Sequence, residues 1–154
     1  MHGLDGLVGP DGWGGLGSGE RIPGEMALDH LGIAVRSIAA ARRMYEVLGL
    51  TVGEVETVEA EQVRVAMVQV GESRIELLEA TREDSVIGRF VAKRGEGMHH
   101  VAVRVEDLEG HGARLRAAGV RRVSDAVKVG AGGQRYLFVH PASTGGVLLE
   151  LVGV

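Results

Sequence analysis

Gly97-Met98-His99-His100-Val101-Ala102-Val103-Arg104-Val105 places a histidine at the head of a short apolar run, and the fold follows from how that run is repeated. An earlier stretch, Asp29-His30-Leu31-Gly32-Ile33-Ala34-Val35, has the same arrangement. Outward from His30 and His100 the two copies stay in register. Eight residues on, an apolar residue opens a helical pattern, Ile38 in one copy and Leu108 in the other. Nineteen residues on stands a glycine, Gly49 and Gly119. Each copy closes on a carboxylate inside an apolar strand, Glu76 in Arg74-Ile75-Glu76-Leu77-Leu78 and Glu150 in Val147-Leu148-Leu149-Glu150-Leu151-Val152. A repeat of about 70 residues is too long for a solenoid unit and reads as duplication of one compact half.

The element order predicted for each half is βαβββ. In the first, residues 28–35 form a strand. Ser37 caps a helix marked by Ile38, Ala41, Met44, Tyr45 and Leu48, and Gly49 ends it. Strands follow at 50–58, 63–70 and 74–79, with a tight turn at Gly71-Glu72-Ser73. A connecting helix, capped by Asp84 or Ser85, puts Ile87, Phe90 and Val91 on one face and ends at Gly95. The second half then gives a strand at 99–105 and a helix marked by Leu108, His111, Leu115 and Ala118. A short strand and loop over 120–129, a flexible turn at Gly130-Ala131-Gly132-Gly133, and strands at 135–139 and 147–152 complete it. The expected class is α+β, built of paired βαβββ modules over about 27–80 and 97–153 of a domain spanning 26–154. Residues 1–25 read as a flexible extension: nine of them are glycine, the only tryptophan, Trp13, lies there, and Met26 offers a second start. They carry neither the apolar run of a signal peptide nor an Arg-rich leader.

At 154 residues the chain is long enough for one domain with a real core. A net charge of −4 and an aromatic content of 3% speak against nucleic acid as a partner, which calls for basic patches and stacking rings. No apolar run reaches the length of a membrane span. Cysteine is absent, so any metal must be held by nitrogen and oxygen.

A carboxylate in an apolar strand is costly unless it faces water, is paired, or binds a cation. One such glutamate simply points to solvent in most strands. The same placement in two halves, each headed by a histidine, favours a shared site of His30, Glu76, His100 and Glu150 around one divalent ion. Such a donor set suits Co²⁺, Zn²⁺, Ni²⁺, Fe²⁺ or Mn²⁺. His99 competes with His100, but adjacent strand residues face opposite ways, and the repeat aligns His100 with His30. His140, before a proline, reads as a structural residue of a turn.

These residues carry a resemblance. The paired halves, with Asp29-His30-Leu31-Gly32-Ile33-Ala34-Val35, Ile75-Glu76-Leu77-Leu78-Glu79, Asp84-Ser85-Val86-Ile87-Gly88-Arg89-Phe90, Lys93-Arg94-Gly95-Glu96-Gly97-Met98-His99-His100, His140-Pro141 and Gly145-Gly146-Val147-Leu148-Leu149-Glu150-Leu151, resemble the methylmalonyl-CoA epimerase family. That family lies within the vicinal oxygen chelate superfamily, alongside glyoxalase I and the extradiol dioxygenases. The resemblance covers about residues 27–153. It implies a metal held by His30, His100 and Glu150, with Glu76 in a fourth position where some members carry Gln. It also implies Co²⁺ as the first choice of metal, a CoA thioester as the small-molecule partner, a homodimer, and a cytoplasmic setting. The chain departs from the family in two places. The strand Val63-Arg64-Val65-Ala66-Met67 has Val65 where some epimerases carry a catalytic Glu, and Ala142-Ser143 stand where Lys-Asp is common. Proton transfer at C2 then falls to Glu76 and Glu150, one from each half. The alternatives are a glyoxalase I-like lyase, an extradiol dioxygenase, and a binding or resistance protein of the same fold that does no chemistry.

Overall fold

The computed structural model describes Gly24, residues 26–130 and residues 133–154. The extension expected before Met26, Gly24 apart, lies outside the described residues, as does the middle of the Gly130–Gly133 turn. The first half contains β1 (Ala27–Val35), α1 (Ile38–Val47), β2 (Glu56–Val58), β3 (Val63–Val70) and β4 (Ser73–Ala80). The connecting helix α2 (Val86–Arg94) leads to β5 (Gly97–Val105), α3 (Leu108–Ala117), β6 (Lys128–Val129), β7 (Arg135–Val139) and β8 (Leu149–Gly153). Both halves are therefore βαβββ. All eight strands join one curled mixed sheet in the order β2-β3-β4-β1-β5-β8-β7-β6. The halves meet where β1 runs antiparallel to β5, and each pairs in parallel with the last strand of its own half.

The helix signals hold at the atomic level. Ser37 Oγ accepts from Ala40 N at 3.2 Å, and Gly49 takes φ +87° just past α1. Ser85, rather than Asp84, caps α2 by accepting from Gly88 N at 3.0 Å. Two strands are shorter than expected. Of 50–58 only Glu56–Val58 pairs continuously, and Val52 makes a single bridge to Val68 through the bond from Gly53 N to Met67 O at 2.8 Å. The last strand opens at Leu149 instead of Val147, after Gly145 and Gly146 at φ +71° and +99°.

Alternation separates the two faces of the sheet. On one face Ile33, Val35, Ile75, Leu77 and Val68 pack under Ile38, Ala41 and Tyr45 of α1. In the second half Val103, Val105, Leu137, Val139 and Leu151 pack under Leu108 and Leu115 of α3. On the other face, Ile87, Phe90 and Val91 of α2 cover Ala34, Val63, Val65 and Leu78. The rest of that face is the floor of a cavity of about 560 Å³. Among the described residues no helix is long and apolar enough to cross a membrane.

Candidate active site

Glu76, His30, His100 and Glu150 come from β4, β1, β5 and β8, four neighbouring strands at the middle of the sheet. The register sets them on two adjacent rows. Glu76 and His100 both stand opposite Gly32, while His30 and Glu150 both stand opposite Ala102. All four side chains line the large cavity.

Gly32 makes the convergence possible. A Cβ there would lie 2.2 Å from His100 Cε1 and 2.4 Å from its Nδ1, so the His100 imidazole occupies the space that any other residue would fill. His30 Nε2 and His100 Nε2 then stand 2.9 Å apart. Glu150 Oε2 is 3.5 Å from the first and 3.4 Å from the second, and Glu76 Oε2 is 3.1 Å from His30 Nε2. Donor atoms bound about 2.1 Å from one ion sit roughly 3.0 Å apart at right angles and roughly 3.4 Å apart in a tetrahedron. The spacing and the chemistry of this donor set fit a divalent cation. His30, His100 and Glu150 hold their donor atoms within 4.8 Å of one another. Glu76 reaches His30 but stands outside that group of three.

Two β-bulges, one per half, set the outer partners of the histidines. Leu28 faces Val103 and His30 faces Ala102, so Asp29 is the extra residue in β1. Gly32 faces His100 and Ile33 faces Met98, so His99 is the extra residue in β5. In each case the bulged residue reaches the Nδ1 of the histidine that follows. His30 Nδ1 donates to Asp29 Oδ2 at 2.7 Å, and His99 Nδ1 lies 3.0 Å from His100 Nδ1. Nδ1 is thereby occupied in both rings and Nε2 is aimed inward, the usual role of an outer partner to a ligating histidine. Asp29 is itself held by Arg74 Nη2 at 2.8 Å and approached by Arg104 Nη1 at 3.6 Å.

The bulge corrects one sequence expectation. Strict alternation would send His99 to the far side of the sheet from His100. The extra residue cancels that alternation, and His99 lines the cavity beside His100, its ring edge-on to Phe90 at 5.0 Å. It is His100 whose Nε2 faces His30 Nε2, at 2.9 Å, while His99 meets His100 through Nδ1.

Electrostatics follow from burial. Desolvation alone would push His30 down, but hydrogen bonds to Glu150 and Asp29 and the charge of Glu76 carry its pKa up to about 9. His100 goes the other way, to about 3, through burial and the neighbouring His30 and His99. Burial raises the Glu76 carboxyl, against the pull of His30, and Glu150 and Glu61 push it further up. Asp29 stays below the usual carboxylate range: its burial is outweighed by the bonds from His30 and Arg74.

Other expectations fall into place around this centre. His140 Nδ1 accepts from Ala142 N at 3.0 Å and caps a short turn, as its structural reading predicts. Val65 packs with Val63, Leu78 and Ile87, so an apolar wall stands where some family members carry a glutamate. Glu61, the fallback for the second base, also lines the cavity, and Tyr136 and Phe138 do so without having been singled out as site residues. Asp29, Gly32, Arg74 and Arg104 were also missed as supports, although the first two lie in the quoted Asp-His-Leu-Gly stretch.

Known proteins share this fold and sequence. The model of the glyoxalase/bleomycin resistance protein/dioxygenase superfamily matches residues 29–138. An uncharacterized Bacillus subtilis protein, YqjC, is 42% identical over 125 residues, covering 80% of this chain and 89% of its own. The mitochondrial methylmalonyl-CoA epimerase of Bos taurus is 37% identical over 126 residues, covering 80% of this chain and 72% of its own. A methylmalonyl-CoA epimerase solved in complex with methylmalonyl-CoA and NH4+ superposes with a TM-score of 0.74 at 40% identity, covering 82% of this chain and 92% of that one. With the paired modules, the sheet order and these similarities together, the chain belongs to the glyoxalase/bleomycin resistance protein/dioxygenase superfamily.

Proposed function

We propose that the protein is a metal-dependent epimerase that interconverts the 2R and 2S epimers of methylmalonyl-CoA. The observation that carries this reading is the meeting of His30, His100 and Glu150 donor atoms within 4.8 Å, with Glu76 beside them, in a chain similar to methylmalonyl-CoA epimerases along most of its length. C2 of this substrate lies between a thioester and a carboxylate, so its C–H is acidic. A divalent ion held by His30, Glu76, His100 and Glu150, Co²⁺ first and then Zn²⁺, Ni²⁺, Mn²⁺ or Fe²⁺, supplies Lewis acidity for the enolate charge when bound.

The chain's own residues supply the proton traffic. Epimerisation needs a base that removes the C2 proton from one face and an acid that returns one to the other. Glu150 and Glu76 come from opposite halves and line one cavity, and they take these two roles. The burial that raises the Glu76 carboxyl also makes it a better proton acceptor than a solvated glutamate. Asp29 and His99 hold the two imidazoles in place during the exchange. Phe138, Leu78 and Ile87 keep the walls apolar and limit water at the carbanion.

Incubating the metal-loaded protein with one epimer in D₂O tests the reading directly. Deuterium should enter at C2 and the opposite epimer should accumulate. Retention of C2 hydrogen with Co²⁺ and each of the other four ions rejects it.

A further inference from the structure

Strand register gives the two halves matching positions on the cavity side of the sheet. In the first half Glu76 of β4 stands opposite Met67, and Leu78, two residues on, stands opposite Val65. In the second half Glu150 of β8 stands opposite Phe138, and Val152, two residues on, stands opposite Tyr136. Val65 and Tyr136 are therefore counterparts under the internal duplication. Residues opposite one another share a face of the sheet, and so do residues two apart on one strand. Tyr136 thus shares a face with Phe138 and Glu150, and all three line the large cavity.

The two counterparts differ in chemistry and in cover. Val65 packs with Val63, Leu78 and Ile87 under α2 and can neither give nor take a proton. Tyr136 opens on the cavity, and among the described residues nothing takes a hydrogen bond from its hydroxyl. Its ring is held in place. It meets Phe138 edge-on at 5.6 Å, Phe138 meets His100 edge-on at 6.3 Å, and a Cβ at Gly130 would come within 3.1 Å of Tyr136 Cε1. A donor fixed in this way loses little freedom when it bonds a ligand.

The surroundings favour the donor form. Glu61, Glu76, Asp84 and Glu150 all stand in the cavity wall. Burial, with the charges of Glu61 and Glu150, holds the phenol above its ordinary value, so it keeps its proton. Ionised carboxylates only accept hydrogen bonds. An acyl group that gains negative charge among them is stabilised by a neutral O–H aimed at its oxygen.

We infer that Tyr136 donates a hydrogen bond to the acyl oxygen on which charge gathers as C2 of the substrate loses its proton. This rests on the proposed epimerase reaction and adds a residue to it, while Glu76 and Glu150 keep the proton transfers.

Tyr136→Phe removes the hydroxyl and keeps the ring. In the metal-loaded full chain it should lower kcat by about 10- to 100-fold, the usual worth of a hydrogen bond to a charged group, and leave KM for methylmalonyl-CoA within about twofold. A bond to the enolate serves both directions, so deuterium uptake at C2 should slow by the same factor from the 2R and the 2S epimer. A packing role would instead lower the melting temperature and spare kcat. Tyr45 and Tyr136 are the only tyrosines, so in protein labelled with ¹³C at the tyrosine ring the signal missing from Tyr136→Phe belongs to Tyr136. Methylmalonyl-CoA added to the wild type should move that signal and leave that of Tyr45 in place, a readout of contact that needs neither turnover nor a stable variant. Native kcat in Tyr136→Phe, a loss confined to KM, slowing from one epimer alone, or an unmoved Tyr136 signal overturns the inference, and C2 exchange by the wild type then still upholds the epimerase reading. A wild type that leaves C2 unexchanged removes that reading and this role together.

Discussion

At the scale of single residues, the site depends on which neighbour of a pair faces inward. His100 is 6% exposed and has its Nε2 2.9 Å from that of His30, whereas His99 meets His100 only through Nδ1. His100→Ala should therefore lose most of the bound metal, since removing one donor cripples a nitrogen–oxygen site. His99→Ala should keep the metal, with an affinity loss of roughly 10- to 100-fold as seen for outer partners. Metal content after dialysis, measured on both variants, checks this, and full loading of His100→Ala would remove that residue from the ligand set. The Asp-His pair was legible as a motif, and Gly32 stood two residues beyond it. What the sequence did not show is that Gly32 yields its side-chain space to a histidine sixty-eight positions away. A glycine inside a strand signals close approach, but not by what.

At the scale of elements, the connecting helix α2 forms a wall of the large cavity, and its placement rests on Ser85. That hydroxyl is buried, donates to Arg82 O at 2.7 Å and accepts from Gly88 N at 3.0 Å. Gly88 in turn is pressed against the turn before the helix, where a Cβ would lie 2.4 Å from Arg82 O. Ser85→Ala should cost about 1 kcal/mol, the usual worth of an N-cap, and lower the melting temperature by roughly 3 °C. A melting temperature at or above that of the wild type would show that the cap contributes nothing. Helices and long strands were read nearly residue for residue, because their periods and caps are local. The bulges at Asp29 and His99 were not, because a bulge is defined by the partner strand's register and leaves alternation on its own strand looking regular.

At the scale of the whole molecule, the candidate site belongs to neither half alone. Each half contributes one histidine and one glutamate across the β1–β5 seam. If the two glutamates address opposite faces of C2, their variants should differ in kind. Glu150→Gln should lower turnover by more than the roughly 10²–10⁴ usual for a general base, since it also removes a donor from the group of three. Glu76→Gln should keep most of the metal, abolish epimerisation, and still exchange the C2 proton of one epimer with D₂O. Native-rate epimerisation by Glu76→Gln would leave it as a ligand only and turn attention to Glu61 in the same cavity. By itself the sequence determined the duplicated βαβββ order and the helix caps, and it singled out His30, Glu76, His100 and Glu150 as candidates, because periodicity, capping chemistry and charge within apolar strands are written locally. Only the tertiary structure decided that three of those donors converge more closely than the fourth. It alone put His99 on the inner face. Those features depend on strand register across the seam and on a helix laid over the sheet, relations between residues far apart in the chain.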